Sequence, residues 1–395
     1  MRVALVHDWL NGMRGGERCL QAFLALYPEA DIFTLFHEPG TTSAEIDRRV
    51  KEVSFLQRIP GARRGYRFLL PLYPLAIRRF NFSGYDLVIS LSHAAAKNVV
   101  IPVGTIHLCY CFTPMRYIWD QARAYFGGRL AFLWPLISWL RRWDIEGSEG
   151  VDQFVGISRF VAARIRCFYG RDAEVIYPPV DVGWVGAKEP FEPASLSRGE
   201  AFLCAGALVP YKRVAAIIEA FNGLGETLWV VGSGPEEERL REIAGSNIKF
   251  FGQVTDSQLA ELYRRCRALV FAGKEDFGMM PVECMAAGRP VIGLYAGGLK
   301  ESVRAVRPWA AQLTEIDFAQ ASGVAIRPDR RLLVQHIQES VRFFIQHEQR
   351  FSAAACVRQA AEFSPERFFA EWSKLVSEVT LESKGSREVG VGAHA

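Results

Sequence analysis

The sequence predicts an α/β protein made of two consecutive domains, each a parallel sheet flanked by helices. Three observations carry that expectation: a length of 395 residues, half of them apolar; short β-branched runs that alternate with helix-like stretches; and a proline-containing break near the middle. One hydrophobic core rarely serves so long a chain, because burial per residue saturates and chains divide into domains. The alternation is that of βαβ units, since parallel strands need a crossover long enough to hold a helix.

In the first half the expected strands are 3–7, 31–35, 87–90, 106–110, 153–157 and 174–176; in the second they are 201–205, 227–231, 248–250, 268–271 and 291–293. Helix-like stretches follow them, such as 214–222, 236–244 and 257–266. The break comes at Tyr177-Pro178-Pro179-Val180-Asp181, where two prolines remove backbone donors and hold the chain extended. From there to Arg198 the composition, rich in Pro, Gly, Ser and Glu, is that of an interdomain connection. Ser364 followed by Pro365 reads as an N-cap and first helical position. The expected organisation is a first domain over 1–182, a second over 199–363, a helix over 364–380 that returns to the first domain, and a disordered tail over 383–395.

Composition excludes several functions. The net charge of +4 is a small difference between 47 basic and 43 acidic residues, so no nucleic-acid partner is expected. The eight cysteines show neither paired CxxC units nor Cys/His ligand spacing, and are expected to be buried thiols rather than metal ligands. Cys109 and Cys111 are expected on opposite faces of one strand. The chain opens on Arg2-Val3-Ala4-Leu5-Val6-His7, a core strand rather than a secretory leader, and no apolar run approaches the roughly 20 residues of a membrane span. A cytoplasmic protein is expected, with any membrane contact peripheral.

The most informative stretch runs from Ala268 to Ile292. A buried strand ends near Ala272, a glycine-containing loop follows, Pro281 lies in a helix start, Gly288 fits a C-terminal cap, and Pro290 stops continuation. The loop therefore lies at the carboxyl edge of a parallel sheet, where open α/β sheets take ligands. Glu275 and Glu283 flank this corner, where carboxylates can accept from sugar hydroxyls. The amides around Phe277, Gly278 and Met279 precede the helix and can meet anionic oxygens. Read alone, Glu275 is equally a solvated carboxylate and Glu283 an ordinary first-turn one favoured by the helix dipole.

The segment Glu275-Asp-Phe-Gly followed by Glu283-Cys-Met-Ala-Ala-Gly-Arg-Pro-Val resembles the E-x7-E motif of the family 4 retaining glycosyltransferases. That resemblance implies the GT-B fold, two Rossmann-like domains facing across a cleft with a C-terminal helix returning to the first. It also implies a nucleotide-diphosphate sugar as donor, no further cofactor and no metal. By the same resemblance Glu275 contacts the transferred sugar and Glu283 the ribose. Lys212, in Leu208-Val-Pro-Tyr-Lys212-Arg213, matches the family's diphosphate-binding lysine. The arginine that usually follows the preceding glycine is Ala207 here, so Arg213 is expected to share its work. Gly232 and Gly234 resemble a phosphate loop; Glu236, Glu237 and Glu238 follow, so this loop is expected to reach the donor by backbone only. Gln253 and Val254 fall where the family holds the base, and Gly297-Gly298 with Glu301 reads as another lining loop.

In the first half, Gly15 and Gly16 resemble the family's Gly-Gly loop. The stretches Ser92-His93-Ala-Ala-Ala-Lys97, Phe112-Thr113-Pro114-Met115-Arg116, Trp119-Asp120 and Arg141-Arg142-Trp143-Asp144 are similar to those of bacterial mannosyl- and rhamnosyltransferases that build lipid-linked surface polysaccharides. The histidine usual before Thr-Pro is Phe112 here, and His93 is the candidate to replace it. His93, Phe112 and Arg116 are thus expected on the acceptor side. Acid-free stretches over 53–85, with Arg58, Arg63, Arg64, Arg67, Arg78 and Arg79, and over 123–143, with Trp134, Trp139, Arg141 and Arg142, suit peripheral contact with an anionic membrane. The resemblance implies transfer of mannose from GDP-mannose to a lipid-linked glycan at the inner face of the membrane. The alternatives are a UDP- or dTDP-sugar donor, and a nucleotide-sugar binder without catalysis.

Overall fold

A computed structural model describes residues 1–185 and 199–391; the rest of the expected connection, 186–198, and the end of the expected tail, 392–395, lie outside the described residues. The chain divides into one unit of Met1–Pro179 with the chain from Phe368 on, and a second of Val180–Arg367.

The first unit holds a seven-stranded sheet: β1 Val3–His7, β2 Asp31–Thr34, β3 Val50–Val53, β4 Leu87–Ser92, β5 Ile106–Cys111, β6 Gln153–Gly156 and β7 Ala173–Val175, in the order β3-β2-β1-β4-β5-β6-β7. All its pairs are parallel. The second unit holds β8 Ala201–Ala205, β9 Leu228–Val231, β10 Ile248–Gly252, β11 Cys266–Phe271, β12 Val291–Leu294, β13 Ala305–Val306 and β14 Gly323–Ile326, ordered β10-β9-β8-β11-β12-β14-β13 and again parallel throughout. Central strands such as β1, β4, β8 and β11 are buried along their length, as strands covered by helices on both faces must be. The strand order reverses between β1 and β4 in the first sheet and between β8 and β11 in the second, whose far edge also inverts β14 and β13. Both units are thus Rossmann-like, with a ligand crevice expected at the carboxyl edge of that reversal.

Three strands escape the sequence pattern. β3 is an edge strand, Val-Lys-Glu-Val, whose charges break the apolar run; β13 has two residues; β14, Gly-Val-Ala-Ile, is short and opens on glycine. Cys109 and Cys111 correct the expectation of opposite faces. Strand residues two apart share a face, and burial together with the Cys109 thiol beside it raises the Cys111 thiol's pKa. All eight cysteines are free and all but Cys167 are buried.

The last helix, Pro365–Val391, belongs to the first unit from Phe368 on. Phe368 and Trp372 are buried against Phe23, with ring centroids 5.3 and 4.6 Å away; each such burial contributes about 1.5–3 kcal/mol. The helix continues through much of the stretch expected as a tail. Gly385 and Gly390 each disfavour helix by only about 1 kcal/mol and no proline intervenes to stop it. None of the described helices is long and apolar enough to cross a membrane.

Candidate functional site

In the second unit the loops after β8 and β11 carry Lys212 and Glu275 to the strand reversal. Lys212 Nζ lies 3.8 Å from Glu275 Oε1, the two side chains being 16% and 18% exposed. The ammonium also lies 5.6 Å from the Phe271 ring centre. Gly206, at φ +129°, leaves room for it: a Cβ there would come within 2.8 Å of Nζ. A cation and a carboxylate held side by side at a sheet edge can meet, respectively, a phosphate and a sugar hydroxyl.

Arg213 is the one non-glycine residue with positive φ among those described, at +56°. It begins the helix Val214–Leu224 and donates its N–H to Pro210 O at 3.1 Å. An arginine in the left-handed region costs on the order of 1 kcal/mol, and here it turns the chain from Lys212 into the helix. Burial, and secondarily Arg330 beside it, lower the pKa of its guanidinium.

Gly232 and Gly234 seat one loop on another. A side chain on either would collide with the carbonyls of Gly206 and Leu208, in the loop that leads to Lys212. Leu208 N–H donates to Ser233 O at 2.9 Å, and Gly232 N–H to Gly252 O at 2.7 Å. Glu236 and Glu237 pair with Arg239 and Arg241 on the same helix. After β10, Gln253 is exposed and Val254 half-buried, two strands from β8.

The loop from Glu275 to Gly278 is clamped by Gly297 and Gly298, whose N–H at 298 donates to Glu275 O at 2.9 Å. Phe277 turns its ring into the core, 5.1 Å from Phe363, so its backbone alone faces the loop. Gly278, at φ +93°, precedes the helix Met279–Ala286, and Met279 is half-buried. Glu283 is 6% exposed and accepts from the Tyr263 hydroxyl at 3.1 Å. Burial first, and the Glu283 carboxylate after it, push the Tyr263 pKa well up. Sequence reasoning had no signal for Tyr263, which meets the motif from the preceding helix, Asp256–Arg265.

In the first unit a second cluster forms at the other reversal. Asp8 follows β1, His93 follows β4 and Phe112 follows β5. Asp8 is fully buried and accepts from the backbone N–H groups of His93, Ala94, Ala95 and Ala96 within 2.9 Å. Its Oδ2 is 3.1 Å from His93 Nδ1. His7 bonds Trp9 O through Nδ1 at 3.0 Å, while its buried Nε2 has no hydrogen-bond partner; burial holds its pKa down at about 4, so the ring is neutral. Gly16 lies against it: a Cβ there would be 3.2 Å from His7 Nε2 and 3.5 Å from Phe112 Cε2. Gly15 and Gly16 open the helix Gly15–Leu26, and Arg116 is half-buried in the turn after Phe112.

The other motif stretches of this unit meet in its interior. Lys97, 1% exposed, pairs with Asp144 Oδ1 at 2.8 Å, while Trp119 Nε1 and the Tyr169 hydroxyl donate to Asp144 Oδ2 at 2.7 and 2.9 Å. Arg164 joins Thr113 to Asp120. Arg141 is spent on packing, between the rings of Trp119 and Trp134 and onto Ile118 O. Of the arginines of the first acid-free stretch, Arg58, Arg78 and Arg79 are exposed, and Phe68, Leu72 and Leu75 face outward with them, whereas Leu70, Tyr73 and Phe80 are core.

Residues 15–184 match the family described as Glycosyltransferase Family 4, and residues 199–322 that described as Glycosyl transferases group 1. An uncharacterized glycosyltransferase of Methanocaldococcus jannaschii is 33% identical over 106 residues, 26% of this chain and 30% of that protein. A GDP-mannose-dependent alpha-(1-6)-phosphatidylinositol monomannoside mannosyltransferase of Mycobacterium tuberculosis is 26% identical over 185 residues, 40% of this chain and 47% of the relative. The chain thus spans less than half of either curated relative. The Anabaena protein HepE, solved in complex with UDP, is 16% identical and superposes with a TM-score of 0.69 over 96% of this chain and 100% of its own. That likeness is one of fold, the GT-B fold. The chain carries glycosyltransferase family 4 and group 1 domains, one in each of its two Rossmann-like units.

Proposed function

We propose that the protein is a retaining, metal-independent glycosyltransferase that moves mannose from GDP-mannose to a lipid-linked glycan in the synthesis of a cell-surface polysaccharide. The observation that carries this reading is the Lys212–Glu275 pair at the strand reversal of the second unit, with Glu283 on the next helix. In it, Lys212 and Arg213 take the diphosphate as negative charge develops on the leaving group. Glu275 orients the sugar, Glu283 the ribose, and the amides at 277–279 the phosphate oxygens. Gln253 and Val254 lie beside the base. Gly15, Gly16, His93, Phe112 and Arg116 serve the acceptor. The mycobacterial relative's dependence on GDP-mannose supports the choice of donor; UDP in HepE keeps a UDP-sugar as the alternative.

The outward Phe68, Leu72 and Leu75 with Arg58, Arg78 and Arg79, and Phe132, Trp134 and Trp139 on the helix Leu130–Glu149, support peripheral contact with the inner face of the cytoplasmic membrane. Incubation with nucleotide-sugars and a lipid-linked mannoside tests the activity. Glu275→Ala is expected to lower kcat/KM by roughly 10²–10³, the size found when a positioned polar group is removed from a transition state; equal turnover would sink the role given to Glu275.

A second reading, nucleotide-sugar binding without transfer, draws on Phe112 and on Ala207, which is exposed and carries no charge. Calorimetric binding of GDP-mannose with neither transfer nor hydrolysis would favour it.

A further inference from the structure

The second unit has a cavity of about 410 Å³ between the turn that follows β13 and the helix Leu333–His347. Its volume is in the range of small-molecule sites. None of the residues that line it belongs to the proposed donor site.

Two arginines face this space without an acid of their own. Arg327 is the first residue past β14 and Arg342 lies on the helix; both are exposed, and among the described residues neither forms an ion pair. Glu339, one turn before Arg342 and also on the wall, accepts instead from Gln335 at 2.7 Å. The Arg327 guanidinium lies over the indole of Trp309, 5.2 Å from the ring centre. Stacking of this kind orients a guanidinium without neutralising it. Its N–H edge is left to meet a carboxylate or phosphate through two parallel hydrogen bonds.

The remaining walls are suited to a sugar ring rather than to a bare ion. His336 is 5% exposed and its Nδ1 lies 3.1 Å from Arg327 O. A carbonyl oxygen can only accept, so Nδ1 carries the proton and Nε2 is an acceptor. That Nε2 makes no hydrogen bond among the described residues. Trp309 and Phe343 are half-buried and supply aromatic surface, Phe343 being held by stacking on Phe318 at 6.1 Å. Sugar hydroxyls donate to such an acceptor, and the C–H face of the ring packs on aromatic carbon. A neutral sugar has no use for two unpaired arginines, and an inorganic anion has none for the aromatic walls.

We propose that this cavity binds an anionic sugar, either a sugar phosphate or a uronic acid. Arg327 and Arg342 hold the phosphate or carboxylate, His336 Nε2 accepts from a hydroxyl, and Trp309 and Phe343 cover the ring. No bond is made or broken here. The assignment does not rest on the donor chemistry, since its residues are different and its ligand carries no nucleotide.

Calorimetry on the full chain tests it, with GDP in excess so that a diphosphate site is already filled. Mannose 6-phosphate, glucuronate, mannose and inorganic phosphate are titrated separately. At least one of the two anionic sugars is expected to bind one-to-one, roughly ten-fold or more tighter than both mannose and inorganic phosphate, about one charge-assisted hydrogen bond. The two anionic arms decide between a phosphate ester and a carboxylate. Arg327→Gln and Arg342→Gln are each expected to weaken that binding roughly ten-fold, with Tm and GDP binding as in the parent. Absence of binding by both anionic sugars overturns the proposal. So does mannose binding equally well, which would show that charge is not read, or inorganic phosphate binding equally well, which would leave an adventitious ion only. Parental affinity in both arginine variants overturns the location. A native chain that ignores GDP but takes the anionic sugar would count against the donor reading and leave this site standing.

Discussion

Lys212 and Glu275 show how one residue's setting defines its chemistry. At 16% and 18% exposure the pair is partly desolvated, so each charge gains from the other but remains open to a ligand of opposite sign or to a hydroxyl donor. Glu17 illustrates the reverse case, a carboxyl with no cation close enough to keep it ionised. It lies in the first turn of the helix Gly15–Leu26, 3% exposed, and accepts from the Arg14 N–H at 3.1 Å. Burial raises its pKa from 4.5 to about 7, against the smaller opposing effects of that backbone bond and of Arg14. The folded chain therefore holds a proton that the unfolded chain releases, and stability falls as pH rises through the window from 4.5 to about 7. Glu17→Gln removes this loss. It is expected to raise unfolding free energy by up to about 3 kcal/mol at pH 8 and to change little at pH 4, measured by denaturant titration at the two pH values. A variant no more stable at pH 8 than the parent would show that Glu17 is ionised without penalty. None of this was legible in the sequence, where Glu17 is only the residue after two glycines.

At the scale of elements, loops carry Lys212 and Glu275 while a helix carries Glu283, and glycines seat those loops on one another. Gly232 has φ +123°, and a Cβ on it would strike Gly206 O, one residue from β8. Gly232→Ala is expected to destabilise the second unit by more than about 2 kcal/mol, since backbone strain and a steric clash coincide. It should also weaken GDP binding, because the displaced loop is the one that leads to Lys212; denaturant unfolding and calorimetry check the two effects. The sequence shows a Gly-Ser-Gly turn and allows a phosphate loop, but it does not show that the glycines serve another loop. The helix Leu130–Glu149 divides its side chains similarly. Ile137, Leu140 and Trp143 are core, whereas Phe132 is 88% exposed, like Phe68 in the other acid-free stretch. Replacing both outward phenylalanines by serine is expected to reduce sedimentation with phosphatidylglycerol-containing vesicles several-fold, and to leave binding to phosphatidylcholine vesicles low and unchanged. Undiminished sedimentation would place the membrane contact elsewhere.

At the scale of the molecule, each unit has its own sheet and core, so a ligand of one unit stabilises that unit first. GDP, UDP and dTDP compared by thermal shift are expected to rank the donor base, the preferred nucleotide giving the largest rise in Tm by mass action. Lys212→Ala is expected to abolish most of that rise, and a rise that persists in the variant would remove Lys212 from the diphosphate site. The two units also repeat one logic: in each, the strand order reverses next to the first strand, and the chemistry-bearing residues follow the strands on either side of the reversal.

Fold class, the two halves and most strands were legible in the sequence. Those depend on short-range periodicity and on proline and glycine, which act within a few residues. Glu275, Glu283 and Lys212 were legible as candidates too, because each lies in a recognisable motif that follows a legible strand. Edge strands such as β3 were lost because partial exposure removes the apolar signal. Folding alone brings distant partners together: Lys212 with Glu275 after neighbouring strands, Tyr263 with Glu283 between two helices, and Asp8 with His93, 85 positions apart. Those pairs depend on sheet order and on packing between loops, which no local pattern encodes.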